Sequence, residues 1–141
     1  MDYKESFEST AKAELEVAKR LAAQGDSWIA VYHCQQAAEK MTKAVFFKYN
    51  IVEMKEHVIS GLFASRILRQ KRTKELNQVY RYLIRLEEHI NKARYPVRDE
   101  DEIVAPMERY GQRDAEEAIA QAEFVITTLQ KLLDENRKSS T

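Results

Sequence analysis

The chain has 141 residues, 23 basic and 23 acidic side chains, and a formal net charge of zero. That length suits one domain with its own core, and the charge balance argues against a uniformly basic nucleic-acid coat or an acidic solvating tail. Hydrophobic residues at 44% exclude a disordered chain, and three Gly and two Pro supply too few tight turns for a sandwich or barrel, so the expected class is all-α.

Five helical segments are predicted. The first spans about Tyr3 to Ala23, where Phe7, Ala11, Leu15, Ala18, Leu21 and Ala22 recur on one face. Glu8–Lys12 and Glu16–Arg20 are favourable i,i+4 pairs on the other face. Gln24-Gly25-Asp26 should end it, Gly25 in a left-handed exit and Asp26 capping the next helix with its carboxylate. The second helix spans about Ser27 to Tyr49. Its two adjoining apolar faces, one through Val31, Tyr32, Val45 and Phe46, one through Ala30, Cys34, Ala37, Met41 and Ala44, predict a central helix that others approach closely. Gln35 falls within the first stripe and requires hydrogen-bond partners. His33, Gln36, Lys40 and Lys43 share the polar face.

A connection from Asn50 to Glu56 leads to a short third helix, about His57 to Arg69. The basic run Arg66, Arg69, Lys71, Arg72, Lys74 follows, with no acid inside it. The fourth helix is predicted from Thr73 to Lys92, with Leu76, Val79, Leu83, Leu86 and Ile90 inward. Ala93 to Gln112 reads as an irregular loop holding both prolines; loops of this length are often functional. The last helix runs from about Arg113 to Asn136, with Asp114 and Glu117 suited to its positive end. Residues 1–136 are thus expected to form one helical domain and 137–141 a frayed tail.

Catalytic and metal signals are sparse. The lone Cys34 excludes a disulfide framework and a Cys-based zinc site, and reads as a small core residue. There is no glycine-rich phosphate loop, no nucleophile elbow, and no second ligand at metal spacing from His33, His57 or His89. No catalytic residue, metal ligand or cofactor is assigned. The N-terminal residues lack a leader pattern, and the longest uncharged run, Ser27 to Ala38, falls short of the roughly 18–20 residues that span a bilayer. We expect a cytoplasmic protein with no membrane segment.

Two constellations remain. One is the cationic strip on the second helix, Lys40 and Lys43 beside His33 and Gln36. The other is Lys92-Ala-Arg-Tyr-Pro-Val-Arg98, where Arg94 and Arg98 could grip phosphate and Tyr95 could stack on a base. The four acids Asp99 to Glu102 follow directly; they would repel phosphate or neutralise the cations.

The stretch AVYHCQQAAEKMTKA at residues 30–44 resembles the signature second helix of the HEPN family. His57 at the opening of the third helix, Ala93-Arg94-Tyr95-Pro96, and the segment from Arg113 to Phe124 resemble further parts of that family, in order along the chain. The resemblance implies an up-and-down bundle of four main helices plus a short one. It implies a homodimer, or a pairing with a minimal nucleotidyltransferase in a prokaryotic toxin–antitoxin setting, and a nucleotide or RNA ligand. Many HEPN proteins are metal-independent RNases that use an Arg followed, four to six residues later, by a His. Arg94 matches the Arg, but the matching His positions hold Asp99, Glu100 and Asp101. The expectation is therefore a binding module with candidate contacts Arg94, Tyr95, Arg98, Lys40 and Lys43. The alternatives are an RNase with a rearranged site recruiting His89 or His33, and a structural partner that masks a toxin.

Overall fold

The computed structural model describes residues 1–52 and 58–135. Helix α1 (Tyr3–Ala23) and helix α2 (Ser27–Lys48) form an antiparallel pair, and helix α7 (Gln112–Asp134) packs on both. Helix α4 (Lys74–Glu87) completes the bundle against α2 and α7. The expected helical bundle is present, and α2 is its centre: Ala30, Val31, Cys34, Ala37, Met41, Ala44, Val45 and Phe46 are all fully buried. The small residues permit the close approach of α1, which offers Ala11 and Ala18.

Local chemistry sets the helix ends. Asp2 and Glu5 form a reciprocal box at the start of α1: Glu5 N donates to Asp2 Oδ1 at 2.8 Å, and Asp2 N to Glu5 Oε2 at 3.2 Å. Gly25 ends α1 with φ +87°, and Gly25 N and Asp26 N donate to Ala22 O and Leu21 O. Asp26, expected to cap α2 with its carboxylate, makes no side-chain cap bond. The reason is its backbone: at φ −86°, ψ 64° it lacks the extended conformation that aims a cap side chain at the first turn, because it closes the α1 turn instead. Asn50 repeats the device after α2, with φ +58° and bonds from Asn50 N to Phe47 O and from Ile51 N to Phe46 O.

The third helix differs from expectation. Helix α3 (Ser60–Phe63) is one α-turn that continues as a π-turn over Ala64–Leu68. Its start is held by Glu87, which accepts from Ile59 N, Ser60 N and Ser60 Oγ at 2.7–2.8 Å. The expected start at His57, and the tail 137–141, lie outside the described residues. The fourth helix stops at Glu87, and a separate turn α5 (His89–Lys92) follows. The apolar period continues through this break, but His89 is drawn to Tyr110, with Nδ1 2.9 Å from the hydroxyl.

The segment expected to be irregular carries structure. Strands β1 (Val97–Asp99) and β2 (Glu102–Val104) form an antiparallel hairpin whose two-residue turn places Glu100 at φ +55°. Helix α6 (Pro106–Arg109) follows, with Pro106 in its first turn where a missing N–H costs nothing. Gly111 N then donates to Asp114 Oδ2 at 2.8 Å as α7 begins.

Candidate functional site

Three of the sequence-predicted site residues lie where α5 gives way to the hairpin. Arg94 N and Tyr95 N both donate to Asn91 O, and fully buried Ala93 anchors the backbone between. Arg94 and Tyr95 are therefore exposed side chains on a fixed turn. The Arg94 guanidinium carbon lies 5.3 Å from the Tyr95 ring centroid and 5.6 Å from that of Tyr32, near the start of α2. Such contacts orient a guanidinium without neutralising it. Among the described residues Arg94 pairs with no carboxylate. Tyr32, which joins this cluster, carries no signal in the sequence beyond its place in the apolar stripe of α2.

Arg98 is exposed on β1, opposite Ile103. The acids that follow it occupy the hairpin end: Asp99 pairs with Glu102, and Glu100 and Asp101 make the turn. All four are exposed. The positions where family nucleases carry their His are thus in a solvated hairpin tip.

Lys40 and Lys43 sit apart from Arg94, each on a carboxylate. Lys40 Nζ is 3.4 Å from Glu14 Oε1, and the other oxygen of Glu14 is 2.7 Å from His33 Nδ1. Lys43 Nζ donates to Glu39 Oε2 at 3.0 Å. Glu39 is buried and also accepts from Gln35 Nε2 at 3.1 Å, while Gln36 Nε2 donates to Gln35 Oε1 at 2.8 Å. On the polar face of α2, Glu14 thus ties His33 and Lys40 to α1, and bonds within α2 satisfy the buried Gln35. Sequence reasoning missed Glu39 because it falls inside the signature as one acid among many.

His89 is half-buried, its ring against Tyr110 at 5.4 Å between centroids. Burial holds its imidazole below the usual histidine range, and burial pushes the Tyr110 phenol up to about 12. The imidazole is thus neutral at neutral pH. No group of three His, Cys, Asp or Glu among the described residues is arranged to hold a metal ion, and no helix there is long and apolar enough to cross a membrane.

The HEPN domain family model matches residues 5–132, nearly the whole chain. The chain belongs to the HEPN domain family. A Methanocaldococcus jannaschii protein named "Putative toxin MJ1304" is 36% identical to this HEPN domain over 138 residues, covering 94% of this chain and 90% of the relative. Among solved structures, ST0689, an archaeal HEPN homologue, superposes with a TM-score of 0.74 at 26% identity, covering 94% of this chain and 98% of its own. TT1696 from Thermus thermophilus gives a TM-score of 0.74 at 23% identity over 93% of this chain and 98% of its own, a likeness of fold alone.

Proposed function

We propose that this HEPN domain is a binding module that holds a phosphate-bearing ligand, a nucleotide or RNA, at Arg94, Tyr95 and Arg98. One observation carries the reading: an exposed Arg94 guanidinium in contact with two tyrosine rings and, among the described residues, paired with no carboxylate. A fixed guanidinium presents parallel N–H donors to a phosphate, and an exposed tyrosine offers a stacking surface. Lys40 and Lys43 are secondary contacts, since a ligand there must compete with Glu14 and Glu39. The domain acts as a homodimer or beside a minimal nucleotidyltransferase, as part of a toxin–antitoxin pair; the toxin name of the M. jannaschii relative supports that setting.

Titration of short RNA and mononucleotides against the wild type and Arg94→Ala tests the ligand. A loss of at least tenfold in the variant is expected. Equal binding by both would overturn the assignment, and light scattering of the purified chain reads the oligomeric state.

The same relative's toxin name favours a second reading, a toxin, for which the family resemblance implies a metal-independent RNase. With Asp99, Glu100 and Asp101 at the family's His positions, the base would have to be His89 or His33. Incubation of RNA with the protein in chelator decides it: cleavage lost in His89→Ala or His33→Ala supports this reading, and intact RNA at high protein concentration rejects it.

A further inference from the structure

The hairpin carries an unused strand edge. Among the described residues its sheet has only two strands, so β1 and β2 each leave one side open. Asp99 and Glu102 flank the two-residue turn and exchange the first ladder hydrogen bonds. The alternation of an antiparallel pair then turns the N–H and C=O of the next pair, Arg98 and Ile103, away from one another toward the two outer edges. Among the described residues nothing else bonds those groups of Ile103. The Ile103 side chain is 68% exposed, on the face opposite that of the half-buried Val97–Val104 pair. Strand edges are ordinarily blunted by Lys, Pro or a bulge. Glu102-Ile103-Val104 has none of these, and Pro106 stops the edge from running further.

Charge distinguishes the two edges. Arg98 sits at the centre of the β1 edge. The β2 edge runs straight out of the acidic tip, where Asp99, Glu100, Asp101 and Glu102 have no ion pair or side-chain hydrogen bond among the described residues. Such a concentration of negative charge repels a second hairpin and attracts cations. A strand added antiparallel to β2 places one residue opposite Ile103, the next opposite Glu102 and the one after beside Asp101.

We propose that the β2 edge docks an extended segment of a partner protein, one that carries an apolar residue flanked by Lys or Arg. Ile103 and its new neighbour exchange both backbone hydrogen bonds, and the apolar side chain covers that of Ile103. The cations meet Glu102 and the tip. In docking of this kind the backbone bonds supply affinity and the alternating side chains supply selectivity. The added strand lies on the side of the hairpin away from Arg98, so the docking site does not depend on the Arg94 assignment.

The test is a titration of the full chain with capped synthetic peptides, read by amide NMR and amide exchange. A Lys-Val-Lys-Val-Lys peptide should shift Glu102, Ile103 and Val104 saturably and slow exchange of the Ile103 N–H. The same peptide with N-methylated valines, or with Glu for each Lys, should bind at least about tenfold more weakly. Ile103→Asp should weaken the Lys peptide about tenfold, and Ile103→Val should retain it. Glu100→Gln with Asp101→Asn should weaken it and flatten its salt dependence. Arg94→Ala should leave the shifts unchanged. Ile103 is exposed, so each variant should melt as the wild type does. Equal binding of the N-methylated peptide would mean attraction without strand pairing and would overturn the proposal. So would protection of the Ile103 N–H that rises with protein concentration in the absence of peptide, which assigns the edge to a second copy.

Discussion

Glu87 shows how one side chain can start an element that lies far from it in sequence. Its carboxylate takes two backbone N–H groups and a hydroxyl at the head of α3, which has no local capping side chain. Glu87→Ala strands those donors, at a cost of about 1–3 kcal/mol. Urea denaturation should read that loss, and a change under about 0.5 kcal/mol, the range of ordinary surface substitutions, would refute the role. His89 acts through its protonation. Burial depresses its imidazole, with Glu88 raising and Lys92 lowering it to a lesser degree, and Asp114 and Glu117 adding smaller upward pulls. The unfolded chain keeps a value near 6.5 and takes the proton first as pH falls. Stability should therefore decline as pH falls through about 6.5 toward the lower folded-state value, and His89→Gln should flatten that decline relative to wild type. An unchanged slope in the variant would assign the effect to other groups.

At the scale of elements, Gly25 and Asp26 separate two roles that look interchangeable in sequence. A Cβ at Gly25 would meet nothing within 4 Å, so the cost of Gly25→Ala is the left-handed backbone alone, about 1–2 kcal/mol. Asp26→Ala should change stability by less than about 0.5 kcal/mol, since no carboxylate cap bond is lost. Thermal melts of both variants check the pair; equal losses would restore the cap. The same distinction explains what was legible. The long helices follow from their periodicity because α1, α2 and α7 each bury a continuous apolar face. The hairpin was not legible: each strand has only three residues, and its turn carries Glu100-Asp101 where an Asn-Gly pair would have signalled it. The break after Glu87 was hidden because no Gly or Pro marks it and Glu88 itself keeps helical dihedrals, φ −60° and ψ −23°.

Across the whole molecule, the zero net charge conceals an ordered separation of charge. The strip on α2 is neutralised by Glu39, one helical turn before Lys43, and by Glu14 on α1, a partner that spacing along α2 could not assign. Among the described residues Arg94 stays clear of carboxylates while the acids gather at the hairpin tip. The candidate residues Arg94 and Tyr95 were legible as a motif, but Tyr32 joins them only through folding. RNA binding through Arg94 and Arg98 alone should carry a shallow salt dependence: about two phosphates neutralised on a single strand imply a roughly five- to tenfold weakening between about 50 and 200 mM salt. A much steeper loss in filter-binding measurements would mean that a larger basic surface, such as the run from Arg66 to Lys74, dominates.

The central position of α2 has a consequence for synthesis. Its apolar girth is covered on one side by α1, which precedes it, and on another by α7, which begins at Gln112. Lys48 cannot reach Leu132 O until the chain between them has been made, a separation of 84 residues. A ribosome-bound chain that has released α1 and α2 thus holds a half-covered hydrophobic helix for as long as the intervening segment takes to emerge. At elongation rates of about 5–20 residues per second, that interval is several seconds. During it the nascent chain presents to chaperones, or to a second nascent copy, the surface that α7 later covers.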